Sequence, residues 1–208
     1  MTVTPDADPT DTRRTGYRRR LMDGMAEALA ASPYRDVTIG DVVKRAHTSR
    51  RTFYEEFRDR DDCYFALLRS VHSAMLAEVA AAVDPQSGWQ DQIRQAVTAY
   101  FTGVAAHPAV IRSWVRELPS LGDPAVTLAS RPRDEFINLL VGLSASDEMR
   151  TAGFHPLSVD TARFLVGGVE EMTALVVEDN RPVAEIVEVA VEAVTAVVGL
   201  ARTQTADA

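Results

Sequence analysis

The stretch from Thr38 to Phe57, TIGDVVKRAHTSRRTFYEEF, constrains this chain more than any other. It predicts two short helices with a tight break between them. The first spans about Thr38 to Ala46. Thr38 is a natural N-cap, and Asp41 three residues later places negative charge in the first turn, where the helix dipole favours it. Ile39, Val42, Val43 and Ala46 recur at spacings of three and four, so one face is apolar. After His47-Thr48, Ser49 can cap a second helix that runs through Phe57. In it Phe53 and Phe57 lie four apart and face the first helix, which leaves Arg50, Arg51, Thr52 and Tyr54 on the opposite side. Two short helices, a turn of three or four residues, and a basic, polar start to the second make a helix-turn-helix.

That exposed face has a chemistry. Arginines in the first turn of an exposed helix can donate two parallel hydrogen bonds to guanine O6 and N7 in the major groove. Hydroxyls of Ser, Thr and Tyr can hold phosphates, which fixes register without reading sequence. An Arg-Arg pair by itself would be read as a solvated face. The capped helices around it change that reading.

The segment Arg18 to Leu68, RRRLMDGMAEALAASPYRDVTIGDVVKRAHTSRRTFYEEFRDRDDCYFALL, resembles the N-terminal DNA-binding domain of TetR-family transcriptional regulators. The matching features are an amphipathic first helix, Tyr34 before the second helix, Thr38 opening that helix and Ser49 opening the recognition helix. The run Thr52-Phe53-Tyr54 follows, and Phe57 precedes a charged entry to helix 4. The resemblance covers about a quarter of the chain. It departs at Pro33 and His47, where the family usually has Gly; His is among the residues that tolerate a left-handed backbone. The resemblance implies DNA contacts from Thr38, Lys44, Thr48, Ser49, Arg50, Arg51, Thr52, Tyr54 and Arg60. In it Arg50 and Arg51 read bases, while Thr38, Ser49, Tyr54 and Arg60 hold phosphates. It also implies an all-α fold, a homodimer on a palindromic operator of double-stranded DNA, and repression relieved by a small-molecule effector through a shift of helix 4.

Charge follows the same division. The chain of 208 residues carries a net charge of −8. From Thr12 to Arg60, 12 Arg/Lys stand against 7 Asp/Glu, which is +5; from Asp61 onward 10 stand against 20, which is −10. A basic module that meets phosphate and an acidic body that does not would produce this asymmetry. The expected organisation is a disordered tail over 1–12, a DNA-binding domain over 13–58, and a helical effector and dimerisation domain over 59–203. Arg13, Arg14, Arg18, Arg19 and Arg20 straddle the start of the first helix, either as a solvated helix start or as an arm touching the DNA backbone or minor groove. No run approaches eighteen consecutive apolar residues, and the polar, acidic N-terminus has no signal-peptide core, so a cytoplasmic protein is expected. The one cysteine, Cys63, is expected to pack as a small hydrophobe, with a redox-sensing thiol as the other reading.

Beyond Asp59 helical periodicity carries the analysis. Helices are expected from after Asp59 to about Val83, over 86–106, over 108–118 and over 123–143, the last interrupted or kinked at Arg131-Pro132. Residues 144–157 are expected to form a loop. Ser158 caps an eighth helix to about Asp179, and Pro182 opens a ninth to about Ala201. The run EIVEVAVEAVTAVV is β-branched, but about twenty residues exceeds the usual strand length. These last two helices form an apolar pair suited to a four-helix homodimer interface, or else an intramolecular pair. About nine helices result.

Within the body, Trp89, Tyr100, Phe101, Arg112, Trp114, Phe136, Phe164 and Met172 are the candidates to line an effector pocket, since ligand pockets are apolar with a few orienting polar groups. Arg112 and Trp114 lie on different faces of one helix, so at most one points inward. The four histidines lack metal-ligand spacing, GLSAS is not a nucleophile elbow, and no cofactor or metal is expected. An enzyme is therefore not expected. Two alternatives stand beside the ligand-responsive regulator: a constitutive dimeric DNA-binding protein, and a helical ligand-binding or adaptor protein whose DNA module is vestigial.

Overall fold

In the computed structural model, residues 9–121, 123–179 and 181–200 are described, with backbone alone at 9–15, 119–120, 123–130, 132 and 148. Among them every regular element is helical. The order is α1 (Pro9–Ala31), α2 (Ile39–Arg45), α3 (Arg50–Glu56), α4 (Arg60–Ala82), α5 (Trp89–Ala106), α6 (Pro108–Arg116), α7 (Asp123–Ser144), α8 (Asp147–Thr151), α9 (Val159–Glu178) and α10 (Val183–Leu200). Short 3-10 turns at Tyr34–Asp36 and Leu118–Leu121 complete it. The all-α expectation holds, with ten α-helices among the described residues where about nine were expected.

Three local expectations are corrected. Residues 9–12, expected in a disordered tail, belong to α1; Pro9 suits a first helical position, where its missing N–H has no partner to lose. The tail over 1–8 lies outside the described residues. The loop expected over 144–157 contains α8, because Ser146 accepts the Met149 N–H at 3.3 Å and starts a turn of helix. Pro132 does not end α7, which runs on to Ser144. A proline removes one backbone donor, and the turns on either side hold the helix together.

The chain divides into two compact units, Met1–Ser70 and Val71–Ala208, with the division inside α4. In the first, Leu21, Met25, Tyr34, Val42, Phe53, Phe57, Cys63 and Tyr64 are buried. Apolar spacing on α1, α2 and α3 places these side chains together. Gly24 allows a close approach of α1 to α2: a Cβ there would lie 2.7 Å from the Val42 carbonyl oxygen and 2.9 Å from the Ala46 nitrogen. Tyr34 stacks on Tyr64 at 4.0 Å and donates its hydroxyl to Asp61, so the first turns of α4 belong to this unit. Burial pushes the Cys63 thiol up to about 12, against thiolate chemistry.

The second unit pairs α5 with α10 and α7 with α9. One core cluster joins Met149, Phe154, Leu157, Leu165 and Val198, and a second joins Ile137, Ala162 and Val166. Ion pairs lie along the seams: Arg133–Glu170 between α7 and α9, Arg116–Glu178 between α6 and α9, and Arg94–Glu188 between α5 and α10. By length and composition α4 is the one described helix long and apolar enough to cross a membrane. Its Cys63, Tyr64, Leu67, Met75 and Val79 are buried inside the protein, and it opens on Arg60-Asp61-Asp62.

Candidate nucleic-acid interface and the interior of the second unit

The interface is built from its caps outward. The Thr38 hydroxyl accepts the Asp41 N–H at 3.2 Å and donates to the Asp41 carboxylate at 2.6 Å, while that carboxylate accepts the Thr38 N–H at 3.0 Å. This is a reciprocal capping box. The hydrogen bonds from the Thr38 side chain and backbone hold the Asp41 carboxyl below its ordinary range. Ser49 caps α3 by accepting the Thr52 N–H at 3.1 Å. Between the helices His47 takes φ 49°, the left-handed conformation that the family meets with Gly.

With the caps in place, α3 presents two faces. Phe53 is fully buried, and Phe57 beyond its end is also buried. Arg50 and Arg51 are exposed on the other side, and Tyr54 is 59% exposed. Arg51 Nε donates to Glu55 at 3.0 Å. Lys44 is exposed at the end of α2, and Thr48 and Thr52 are half-buried near the turn.

Two of the predicted contacts point elsewhere. Arg60 lies with its guanidinium 4.3 Å over the Tyr34 ring and donates to the Val37 carbonyl at 2.9 Å, so its charge is spent inside the unit. The Thr38 hydroxyl is likewise occupied by its cap. Both side chains, expected at phosphates, are engaged within the unit. Two arginines of α1, Arg18 and Arg20, bond back to the protein. Arg20 Nη2 donates to the carbonyls of Ala46 at 2.7 Å and His47 at 2.8 Å. Arg18 Nη1 donates to the Glu56 carbonyl at 2.7 Å, and its guanidinium lies 4.2 Å over Phe57. Together they grip the C-terminal ends of α2 and α3, where unpaired carbonyls and the dipole favour a cation. Arg19 is exposed, and the side chains of Arg13 and Arg14 lie outside the described ones.

In the second unit four rings gather in series. Trp114 lies parallel to the His72 imidazole with centroids 6.4 Å apart, Phe136 meets His72 edge-on at 5.0 Å, and Tyr100 meets Phe136 at 5.4 Å. The Tyr100 and Thr173 hydroxyls hydrogen-bond at 3.0 Å, and His72 Nε2 lies 3.1 Å from Glu135. Desolvation lowers the His72 pKa, partly opposed by Glu135. His72 escaped sequence reasoning, although it occupies the apolar stripe of α4 between Leu68 and Met75; a polar residue on a buried stripe was the available signal.

The other pocket candidates do not join this group. Trp89, eleven residues before Tyr100 on α5, packs on Phe154 at 4.7 Å in a separate core cluster. Phe164 is 71% exposed, because Leu165 and Val166 occupy the inward side of α9. Phe101 is fully buried against Tyr100, and Met172 is half-buried on α9. Arg112 donates to the Val177 carbonyl at 3.0 Å near the end of α9, while Trp114 on the same helix turns toward His72. An open groove of about 610 Å³ between α5 and α10, lined by Arg94, Glu188, Val191 and Glu192 among others, holds none of the candidates.

A capped α2, a sharp turn and an α3 whose basic face is exposed define a helix-turn-helix DNA-binding protein. Residues 21–67 match the family model described as bacterial regulatory proteins, tetR family, which covers the helix-turn-helix unit. It is 26% identical over 117 residues to the HTH-type transcriptional regulator AlkX of Mycobacterium tuberculosis, a match spanning 52% of this chain and 56% of that protein. The chain thus aligns with little more than half the length of that curated relative. Among solved structures it is similar to a regulatory protein of the tetR family from Rhodococcus, with TM-score 0.68 and 20% identity over 88% of this chain and 96% of that one. It is also similar to the transcriptional regulator FadR of Bacillus subtilis, solved in complex with stearoyl-CoA, with TM-score 0.70 and 16% identity over 89% and 97%. At those identities the likeness is one of fold.

Proposed function

We propose that this chain is a cytoplasmic transcriptional repressor that binds a palindromic operator as a homodimer and is released by a small-molecule effector. The observation that carries the reading is the division of α3: Phe53 buried, and Arg50, Arg51 and Tyr54 turned to solvent. Arg50 and Arg51 read bases in the major groove; Ser49, Tyr54 and Lys44, with Thr48 and Thr52 at the turn, hold the backbone. The partner is a second copy of the chain, joined through α9 and α10. In support, α9 exposes Val159 and Phe164 beside Gly167 and Gly168, which have open space around them, and α10 exposes Val189 and Leu200. A large ring left mostly in water beside glycines suits close packing against a symmetry mate.

Phe164→Asp is the test of the dimer. Each substitution enters a two-fold interface twice, so light scattering is expected to show monomer at micromolar concentration, and affinity for a two-half-site operator to fall at least about tenfold, or about 1.4 kcal/mol. A variant that stays dimeric would move the interface elsewhere.

Effector release rests on the ring series of Trp114, His72, Phe136 and Tyr100, which combines apolar faces with two hydrogen-bonding pairs. Because FadR of Bacillus subtilis was solved with stearoyl-CoA, that compound is the first probe. An effector must prefer the DNA-free protein by the factor by which it weakens operator binding, about 5–150-fold in typical cases. Calorimetric titration of the probe with and without operator is expected to differ by that factor. Equal affinity in both, across a panel of small molecules, would favour a constitutive dimeric binder.

A further inference from the structure

We infer that Glu55 is a positioning residue for Arg51, and that the two act as a unit to read one G·C base pair in each half-site. The inference rests on the assignment of Arg51 to base readout. Glu55 lies one turn beyond Arg51 on α3, and its Oε1 accepts from Arg51 Nε at 3.0 Å. Both side chains face solvent, 89% exposed for Arg51 and 55% for Glu55. An exposed pair of this kind adds little stability. Its consequence is geometric.

A guanidinium carries five N–H groups in a rigid planar fork. A bond through Nε uses its inner edge and leaves the two terminal nitrogens to donate in parallel, the pairing that matches O6 and N7 of guanine. The carboxylate also biases which target Arg51 selects. Beside Glu55 the pair carries no net charge, and phosphates repel the carboxylate, so the backbone gains less from Arg51 than a free arginine would supply. Among the described residues Arg50 has no such partner. Glu55 therefore costs sequence-independent affinity and adds base preference, two effects of opposite sign on one helix.

The test compares the full-length protein with Glu55→Gln, Arg51→Ala and the double variant, each selected against a randomised duplex library and titrated on a random-sequence duplex. Glu55→Gln is expected to bind the random duplex a few-fold more tightly, with a log–log salt slope steeper by about one as Arg51 turns to phosphate. Preference for one G·C pair per half-site is expected to fall about tenfold, within the range of a bidentate contact. Arg51→Ala is expected to lose the same preference, and Glu55→Gln to remove nothing further in that background. The inference is overturned if Glu55→Gln shifts all duplexes by one factor, or if it costs the same preference whether or not Arg51 is present. If Arg51→Ala leaves every base preference intact, base readout by Arg51 itself fails, which the same selection reports separately.

Discussion

Gly24→Ala is expected to destabilise the first compact unit by about 2 kcal/mol, while the same substitution at Gly16, earlier in the same helix, is expected to stabilise it. The difference comes from what the new methyl group meets. At Gly24 a Cβ would lie 2.7 Å from the Val42 carbonyl oxygen, 2.9 Å from the Ala46 nitrogen and 3.1 Å from the Ala46 Cβ. Two of these are backbone atoms of α2 and its cap, which cannot swing aside as a side chain can. Overpacking of this sort costs about 1–3 kcal/mol, and rigid neighbours put it at the upper end. Helix propensity returns about 1 kcal/mol when Gly becomes Ala, so the loss wins. At Gly16 nothing lies within 4 Å, and only the propensity gain of up to about 1 kcal/mol remains. Urea melts of both variants, followed by helical circular dichroism, should move the midpoint in opposite directions. Because a displaced α2 misplaces α3, operator affinity should fall with Gly24→Ala and not with Gly16→Ala. Two shifts of the same sign would mean that α1 and α2 are not in the close contact described.

The second large effect is expected at Arg20. Arg20→Met keeps an apolar stem and removes the donors to the Ala46 and His47 carbonyls. Hydrogen bonds to a charged group contribute about 1.5–3 kcal/mol each; with one of these part-buried and the other exposed, a total of about 2 kcal/mol is expected. The bonds also hold the His47 backbone at φ 49°, a conformation that costs a non-glycine residue about 1–2 kcal/mol. His47→Gly in the Arg20→Met background should therefore restore about half of the loss, because glycine takes that conformation freely. Operator affinity should weaken equally for all base sequences, since α3 is loosened rather than rewritten. A different result would identify a different role. If stability is unchanged and the salt slope of DNA binding drops by about one, Arg20 holds a phosphate, as the arm reading of the sequence suggested.

These two residues show where the sequence stops being legible. The bounds of α2 and α3 could be read because caps and i,i+4 apolar spacing act within one turn of chain: Thr38 with Asp41, Ser49 with Thr52, Phe53 with Phe57. The cluster of basic residues at the start of α1 was visible as charge, but whether it faced DNA or protein depended on carbonyls 26 to 38 positions away. The bond of Arg60 was hidden for the same reason, its partner Val37 lying 23 positions back. Gly24 had no local signal beyond being a glycine in a helix. In the second unit, aromatic identity could not separate Phe136, which meets His72, from Phe164, which is open to solvent.

The sequence alone determined the helical class of the chain, the helix-turn-helix with its two capped helices, the exposed basic face of α3 and the family whose DNA-binding segment it resembles. All of these follow from interactions between residues a few positions apart. Tertiary structure decided which arginines are spent inside the protein, that Glu55 holds Arg51, and that His72 joins Trp114, Phe136 and Tyr100 in one interior series. Capping and apolar periodicity are properties of a single helix and repeat with its turn. The direction of a long flexible side chain is set by whichever carbonyl, carboxylate or ring the packed fold brings within a few ångströms.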